Sequence, residues 1–197
     1  MGFRTDGGQL GESGLIGSML GNHEPVKWRC HYRVEKLWKA ADGEHNVGDM
    51  EIVEGVGNAV MNGGASLIFE RMITKKPSTS STGAALQAFS SGNSRIGVGN
   101  SSAAAVVTQT DLQGASKKYN GMQSGYPTHT DGTSSSGSRQ ISLRAVFTTA
   151  QANFNWLEWG AFNSTTATKR MLNRKAGNLG TKTSSAQWTF TVTLGIS

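Results

Sequence analysis

The sequence predicts a mainly β protein, either an antiparallel sandwich or a compact barrel of six to seven strands, with one helix and an extended N-terminal arm. Residues 188–196 alternate large apolar and small polar side chains, as expected of a half-buried strand. The composition includes 26 Gly and only 16% charged residues, against a typical ~25%, which suits tight turns and small-residue strands. Only one segment has helical spacing, so a sandwich or barrel is favoured.

Residues 1–22 are glycine-rich and carry single apolar residues with a period of neither 2 nor 3.6, which predicts an arm. The remaining residues, 23–197, are long enough for a single β-rich domain with one core. Four apolar side chains of the arm need burial: Leu15, Ile16, Met19 and Leu20. They can dock on a neighbouring subunit or, as a short helix, on the chain's own body, and the sequence leaves both open.

The first strand begins near residue 26, where apolar and aromatic residues alternate with charged ones through residue 35. Cys30 falls on the apolar face and is predicted to be a core thiol. It is the only cysteine of the chain, so neither an internal disulfide nor a thiolate zinc site is expected. A second strand is expected through Met50, Ile52 and Val53.

The one predicted helix lies within residues 56–75. Its apolar positions follow helical spacing: Val60, Met61, Leu67, Ile68 and Met72. Gly63 and Gly64 each cost about 1 kcal/mol relative to alanine inside a helix. We therefore expect the helix to be bent, broken or closely packed at these two residues.

Three further strands are predicted: at residues 94–100, at residues 141–147 and in the alternating segment 188–196. In the last of these, one buried face is expected to carry Trp188, Phe190, Val192, Leu194 and Ile196. Residues 153–163 are densely aromatic, and residues 77–83 and 128–138 have loop composition.

The net charge of +6 comes entirely from residues 101–197, which contain nine Lys and Arg but only three Asp and Glu. The basic residues cluster late in the chain: Lys169, Arg170, Arg174, Lys175 and Lys182. Such a surface suits nucleic acid or an acidic protein partner.

Along the first strand the aromatic and basic residues fall on opposite faces, which argues against a base-stacking platform. Direct nucleic-acid binding is therefore not expected, and Arg170 and Arg174 join the arm residues as candidate partner contacts.

No catalytic, cofactor-binding or metal-binding constellation is predicted. Gly97 and Gly99 lack the remaining residues of a phosphate loop and are better explained by a strand that a neighbour approaches closely. Glu158 lies between Trp156 and Trp159, an arrangement that suits a sugar-cleaving acid. The preferred interpretation is a buried Glu158 paired with an arginine, which holds the aromatic segment in place.

No apolar run reaches the ~18 residues of a membrane helix, and residues 1–22 lack the basic and apolar regions of a signal peptide. We therefore expect a soluble protein that is made in the cytoplasm and has no membrane partner.

Several segments in order resemble a group of tailed-bacteriophage virion proteins. The strongest is residues 153–163, which fit N-x-x-W-x-E-x-G-hydrophobic-F-N. The Met-Leu-Asn-Arg turn at 171–174, residues 179–183 and the Thr-rich strand that follows continue the resemblance, as do residues 95–100 and 110–113. The resemblance covers roughly residues 90–197.

This resemblance implies a non-enzymatic structural protein of the virion. Capsid decoration, or cement, proteins commonly form trimers, so a homotrimer bound to the major capsid protein or other virion proteins is the first expectation. A tail, baseplate or fibre-attachment component is the alternative, and a glycan-binding or glycan-cleaving module is a second alternative. In the first case the arm would clamp a capsid protein or a sister subunit.

Overall fold

The computed structural model describes residues 28–39, 45–57, 59–73, 87–129, 140–166 and 169–196. The predicted fold class is confirmed, because two antiparallel sheets pack as a sandwich with one helix. The described residues hold nine strands, two or three more than the pattern predicts. The arm at 1–22, the loop at 77–83 and most of the loop at 128–138 lie outside them.

In chain order the elements are β1 (Trp28–Lys39), β2 (His45–Val56), β3 (Ala59–Val60), α1 (Asn62–Ile73), β4 (Arg95–Gly99), β5 (Lys117–Gly121), β6 (Gln140–Phe147), β7 (Asn155–Phe162), β8 (Met171–Thr181) and β9 (Ala186–Ile196). The first sheet has the strand order β2-β1-β9-β6, and the second has the order β3-β8-β7-β4-β5. In the first sheet Val34 lies opposite both Val53 and Phe190.

The main core lies between the two sheets and is dominated by aromatic rings. Trp156 packs edge-on against Trp188 at a centroid distance of 4.7 Å, and Trp159 packs against Phe190 at 5.1 Å. Cys30 is buried in this core, as predicted. Aromatic pairs of this geometry stabilise a core beyond the area they bury.

The alternation of β9 is confirmed for Trp188, Phe190, Val192 and Leu194, which are all buried. Ile196 is the exception, because it is 49% exposed. It lies opposite Trp28, the first residue of β1, so the strand pair ends there and little packs over the side chain.

A smaller apolar cluster lies on the outer face of the second sheet. It consists of Met61, Leu112, Phe162 and Met171. The helix begins at Asn62, later than the pattern predicts, and Gly64 lies against β8. A Cβ atom at Gly64 would lie 2.4 Å from the Cα of Leu172, which confirms the expected close packing.

One outer edge of the first sheet is covered by the chain itself. Thr128 and Ser142 exchange two backbone hydrogen bonds of 2.9 Å, and the N–H of Gln123 donates to the carbonyl of Arg144 at 2.7 Å. The side chain of Asn120 donates to the carbonyl of Val146 at 2.7 Å. The carbonyl groups along the free side of β6 are therefore satisfied at three alternate residues.

Candidate functional site

A buried ion pair anchors the long segment that joins β4 to β5, residues 100–116, which we call the β4–β5 loop. Glu158 on β7 and Arg174 on β8 both have side chains that are 0% exposed, and they contact each other at 2.7 Å. The predicted pairing of Glu158 with a buried arginine is confirmed. Its partner is 16 residues further along the chain, on the adjacent strand.

The carboxylate of Glu158 also binds the backbone of the β4–β5 loop. The N–H of Gly114 donates to Oε1 at 2.6 Å, and the N–H of Gln113 lies at 2.9 Å from Oε1 and 3.0 Å from Oε2. Both carboxylate oxygens are therefore occupied by donors that belong to the fold. Trp156 and Trp159 are fully buried, so neither ring face is open to a sugar.

The guanidinium of Arg174 binds the same loop at a second place. Its Nη2 donates to the carbonyl of Ala103 at 2.9 Å, and its Nη1 donates to the carbonyl of Ala104 and to Oε1 of Gln109, both at 3.0 Å. Arginine suits this position because its planar group carries five donors with fixed directions. The pair thus joins two parts of the loop to the centre of the second sheet.

Glycines leave the space that the carboxylate occupies. A Cβ atom at Gly99 would lie 2.4 Å from Oε1 of Glu158, and one at Gly114 would lie 3.0 Å from the same oxygen. At Gly97 a Cβ atom would meet the rings of Tyr119 and Phe162 within 2.9 Å. The interpretation of Gly97 and Gly99 as strand residues that neighbours approach closely is confirmed.

A second polar cluster fixes the end of the loop. Asp111 accepts hydrogen bonds from the Tyr119 hydroxyl, from Nζ of Lys169 at 2.6 Å and from the N–H of Leu112 at 2.9 Å. Burial raises the pKa of the Asp111 carboxyl, but the bonds from Lys169 and Tyr119 outweigh it and leave the pKa below its usual value. Burial and the bond to Asp111 raise the pKa of Tyr119.

The tip of the β4–β5 loop is apolar and exposed. Val106 and Val107 are 51% and 47% exposed. The tip is nevertheless bonded to the domain, because the N–H of Val106 donates to Oε1 of Gln109 at 3.0 Å and the N–H of Asn62 donates to the carbonyl of Val107 at 3.0 Å. We call residues 103–108 the apolar tip. The sequence pattern does not predict this exposed apolar segment.

An apolar groove of about 350 Å³ lies at one end of the sandwich. It is lined mainly by Trp28, Ile68, Phe89, Ile141, Leu172 and Ile196. His129 and Gln140 are the polar side chains along it. The groove can accept an apolar side chain, but it offers few groups that would orient a polar substrate.

The basic residues predicted to form one cluster are separated by the fold. Arg174 and Lys182 are buried, Lys169 binds Asp111, and Lys175 donates to the carbonyl of Val56 at 2.8 Å. The expectation of one shared basic surface is therefore wrong, because structural carboxylates and carbonyls hold most of these cations.

Of the residues proposed for a partner interface, the structure describes only Arg170 and Arg174. Arg174 lies inside the domain and does not reach its surface. Arg170 is half-buried, and its backbone N–H donates to Oδ1 of Asn163 at 2.5 Å. Leu15, Ile16, Met19 and Leu20 lie outside the described residues.

Within the described ranges, no group of three or more His, Cys, Asp or Glu residues is placed to hold a metal ion. In the same ranges, no helix is long and apolar enough to cross a membrane.

The fold and the anchored loop define a β-sandwich with an exposed apolar loop tip. Comparison of the chain with protein-family models, curated proteins and solved structures finds no match.

Proposed function

We propose that this chain is a non-enzymatic structural protein of a tailed-bacteriophage particle, a capsid decoration or cement protein that stabilises the head. The observation that carries the proposal is the apolar tip, an exposed surface held in one conformation by a buried ion pair. The proposed partner is the major capsid protein, with further copies of this chain as neighbours.

The segments that resemble phage virion proteins coincide with the structural framework of this site. Glu158 and Arg174 form the buried pair, and Gly160 lies so close to β8 that a Cβ atom would be 2.7 Å from the carbonyl of Asn173. The side chain of Asn163 donates to the carbonyl of Gln87 at 2.7 Å. These residues therefore serve to hold the fold and the loop, as expected of a structural protein.

A preformed loop favours association for a physical reason. A surface that is ordered before binding avoids part of the entropy cost of immobilising its side chains and backbone. Exposed valines then contribute apolar area that is removed from water on docking. Contacts of this kind, repeated at many positions on a shell, would add to its stability.

The proposal is tested with particles that lack this protein, made from a phage whose gene for it is deleted. Purified chain is added back, and bound protein is measured after sedimentation. We expect saturable binding that Val107→Lys weakens tenfold or more, because the substitution places a charge in an apolar contact. Ser184→Lys adds the same charge at an exposed residue of the turn between β8 and β9, outside both the apolar tip and β2, and as the control it should bind like the unmodified chain.

Failure of the unmodified chain to bind head shells would contradict the proposal. Binding to isolated tails alone would contradict head decoration and support the tail or baseplate alternative. Equal loss of binding with Val107→Lys and Ser184→Lys would exclude the apolar tip as the specific contact.

A further inference from the structure

The two outer edges of the first sheet differ. The free side of β6 is covered by residues 120–128, as described above. β2 forms the other edge and, in the described part of the chain, pairs with β1 alone. An open edge of this length presents unpaired backbone groups to any strand that can approach it.

The register shows which residues of β2 face outward along the sheet. The N–H of Gly57 donates to the carbonyl of Cys30 at 2.9 Å, so the odd-numbered positions of this segment bond toward β1. The backbone groups of the alternate residues Met50, Ile52 and Glu54 therefore point away from β1. They are the donors and acceptors that a further antiparallel strand would use.

The same alternate residues expose apolar side chains. Met50 is 43% exposed, Ile52 is 41% exposed and Val56 is 62% exposed. Side chains two apart on a strand share a face, so these three line one side of the edge together with Glu54, whose carboxylate is paired with Arg33 of β1. An exposed apolar stripe beside unpaired backbone groups favours strand addition.

Two of the three acidic residues of β2, Glu51 and Glu54, form ion pairs within the chain. Glu51 accepts a bond from Nζ of Lys36 at 2.8 Å, and Glu54 accepts one from Nη1 of Arg33 at 2.8 Å. Because both cations come from β1 of the same sheet, repulsion between two such edges is reduced. The edge is thus suited to a second copy of itself.

We propose that β2 pairs antiparallel with β2 of a second copy of this chain, joining two four-stranded sheets into one about a two-fold axis. The register places Met50 opposite Val56 of the second copy, Ile52 opposite Glu54 and Glu51 opposite Gly55. In this register no two carboxylates lie opposite each other, and exposed apolar side chains of the two copies are brought together. A two-fold contact is the commonest form of self-association. The inference does not rest on the proposed function.

The mass of the purified full chain in solution tests this contact. Sedimentation equilibrium at tens of micromolar should give twice the chain mass of 20.9 kDa. Ile52→Lys should shift the protein to a monomer with an unchanged circular dichroism spectrum, because a charge at an edge opposes strand pairing. Val107→Lys is the control, because it introduces the same charge at a side chain about as exposed as that of Ile52. This variant should remain a dimer. A monomeric or purely trimeric native chain would overturn the inference, as would a dimer that Ile52→Lys leaves intact.

Cross-linking tests the register and does not depend on the folding of Ile52→Lys. Under mild oxidation, an equimolar mixture of Met50→Cys and Val56→Cys should form a disulfide-linked heterodimer in at least tenfold excess over either variant alone. Cys30 should not compete, because it is buried and burial raises the pKa of its thiol to about 12. Equal linking in the mixture and in the separate variants would overturn the proposed register.

Discussion

At the scale of single residues, the molecule places two full charges where no water reaches them. Removing an ion pair from water costs several kcal/mol per ion, and the mutual attraction offsets this only when the remaining donors and acceptors are also satisfied. Glu158 and Arg174 meet this condition through Gln113, Gly114, Ala103 and Ala104. The pair therefore functions as a bond between the sheet and the loop.

Glu158→Gln is expected to lower the free energy of unfolding by about 3–5 kcal/mol, because it leaves the buried guanidinium without a counter-charge. Urea denaturation followed by tryptophan fluorescence measures the change. Glu54→Gln makes the same chemical substitution at a carboxylate that is 57% exposed, and it should change stability far less. A similar decrease in the free energy of unfolding in the two variants would contradict a special role for the buried pair.

Lys182 is a second buried cation, and its environment gives a pH dependence. Its Nζ donates to the carbonyl of Thr148 at 2.7 Å and to Oδ1 of Asn153 at 2.9 Å. Burial lowers the pKa of this ammonium to about 8, below its ordinary value near 10.5. Between these two pH values the unfolded chain binds more protons at this site than the native chain does.

Stability relative to Lys182→Met should therefore rise from pH 8 to pH 10.5, by at most about 1.4 kcal/mol per pH unit. Urea unfolding of both proteins at pH 7, 8, 9 and 10 measures the difference. The difference should level off toward pH 7, where Lys182 is largely protonated in both states. A stability difference between the two proteins that decreases as the pH rises above 8 would contradict the lowered pKa of Lys182.

At the scale of elements, the β4–β5 loop has little regular structure but several fixed points. Glu158, Arg174 and Asp111 hold it at three places along its length. Such anchoring opposes local opening of a segment that has little regular structure. The loop can then present the apolar tip in one arrangement.

Arg174→Lys should loosen this loop selectively. Lysine keeps the charge but lacks the planar group that reaches Glu158 and the loop carbonyls together. Hydrogen exchange followed by mass spectrometry should show at least tenfold faster exchange in peptides covering 100–116, while peptides from β9 change little. Equal acceleration in both regions, or no change in the loop, would contradict the anchoring role.

Five strands, β1, β2, β4, β6 and β9, were predictable from the sequence pattern. The other four were not assigned, and residues 171–174, expected as a turn, lie in β8. Cys30 and the buried face of β9 follow directly from that pattern. The buried role of Glu158 was predictable from its aromatic neighbours, but the identity of its partner was not, since that depends on the register between β7 and β8. Arg174 belongs to a run of cations that is normally exposed, and the apolar tip has no periodic pattern.

At the scale of the whole molecule, the described residues combine two packed sheets, a buried ion pair and separate exposed apolar surfaces on β2 and on the β4–β5 loop. The core between the sheets is filled by aromatic side chains, and the indole N–H of Trp156 within it donates to the carbonyl of Ala152 at 2.9 Å. The proposed two-fold contact through β2 and the proposed capsid contact through the apolar tip use different surfaces. A shell protein can use both at once.

The copy number of this chain in purified phage particles tests the central claim most directly. Quantitative mass spectrometry against the major capsid protein should find hundreds of copies per particle, because a decoration protein binds at repeated positions over the whole head. A count from a handful to some tens would place the protein in the tail, and its absence from the particle would contradict a structural role in the virion.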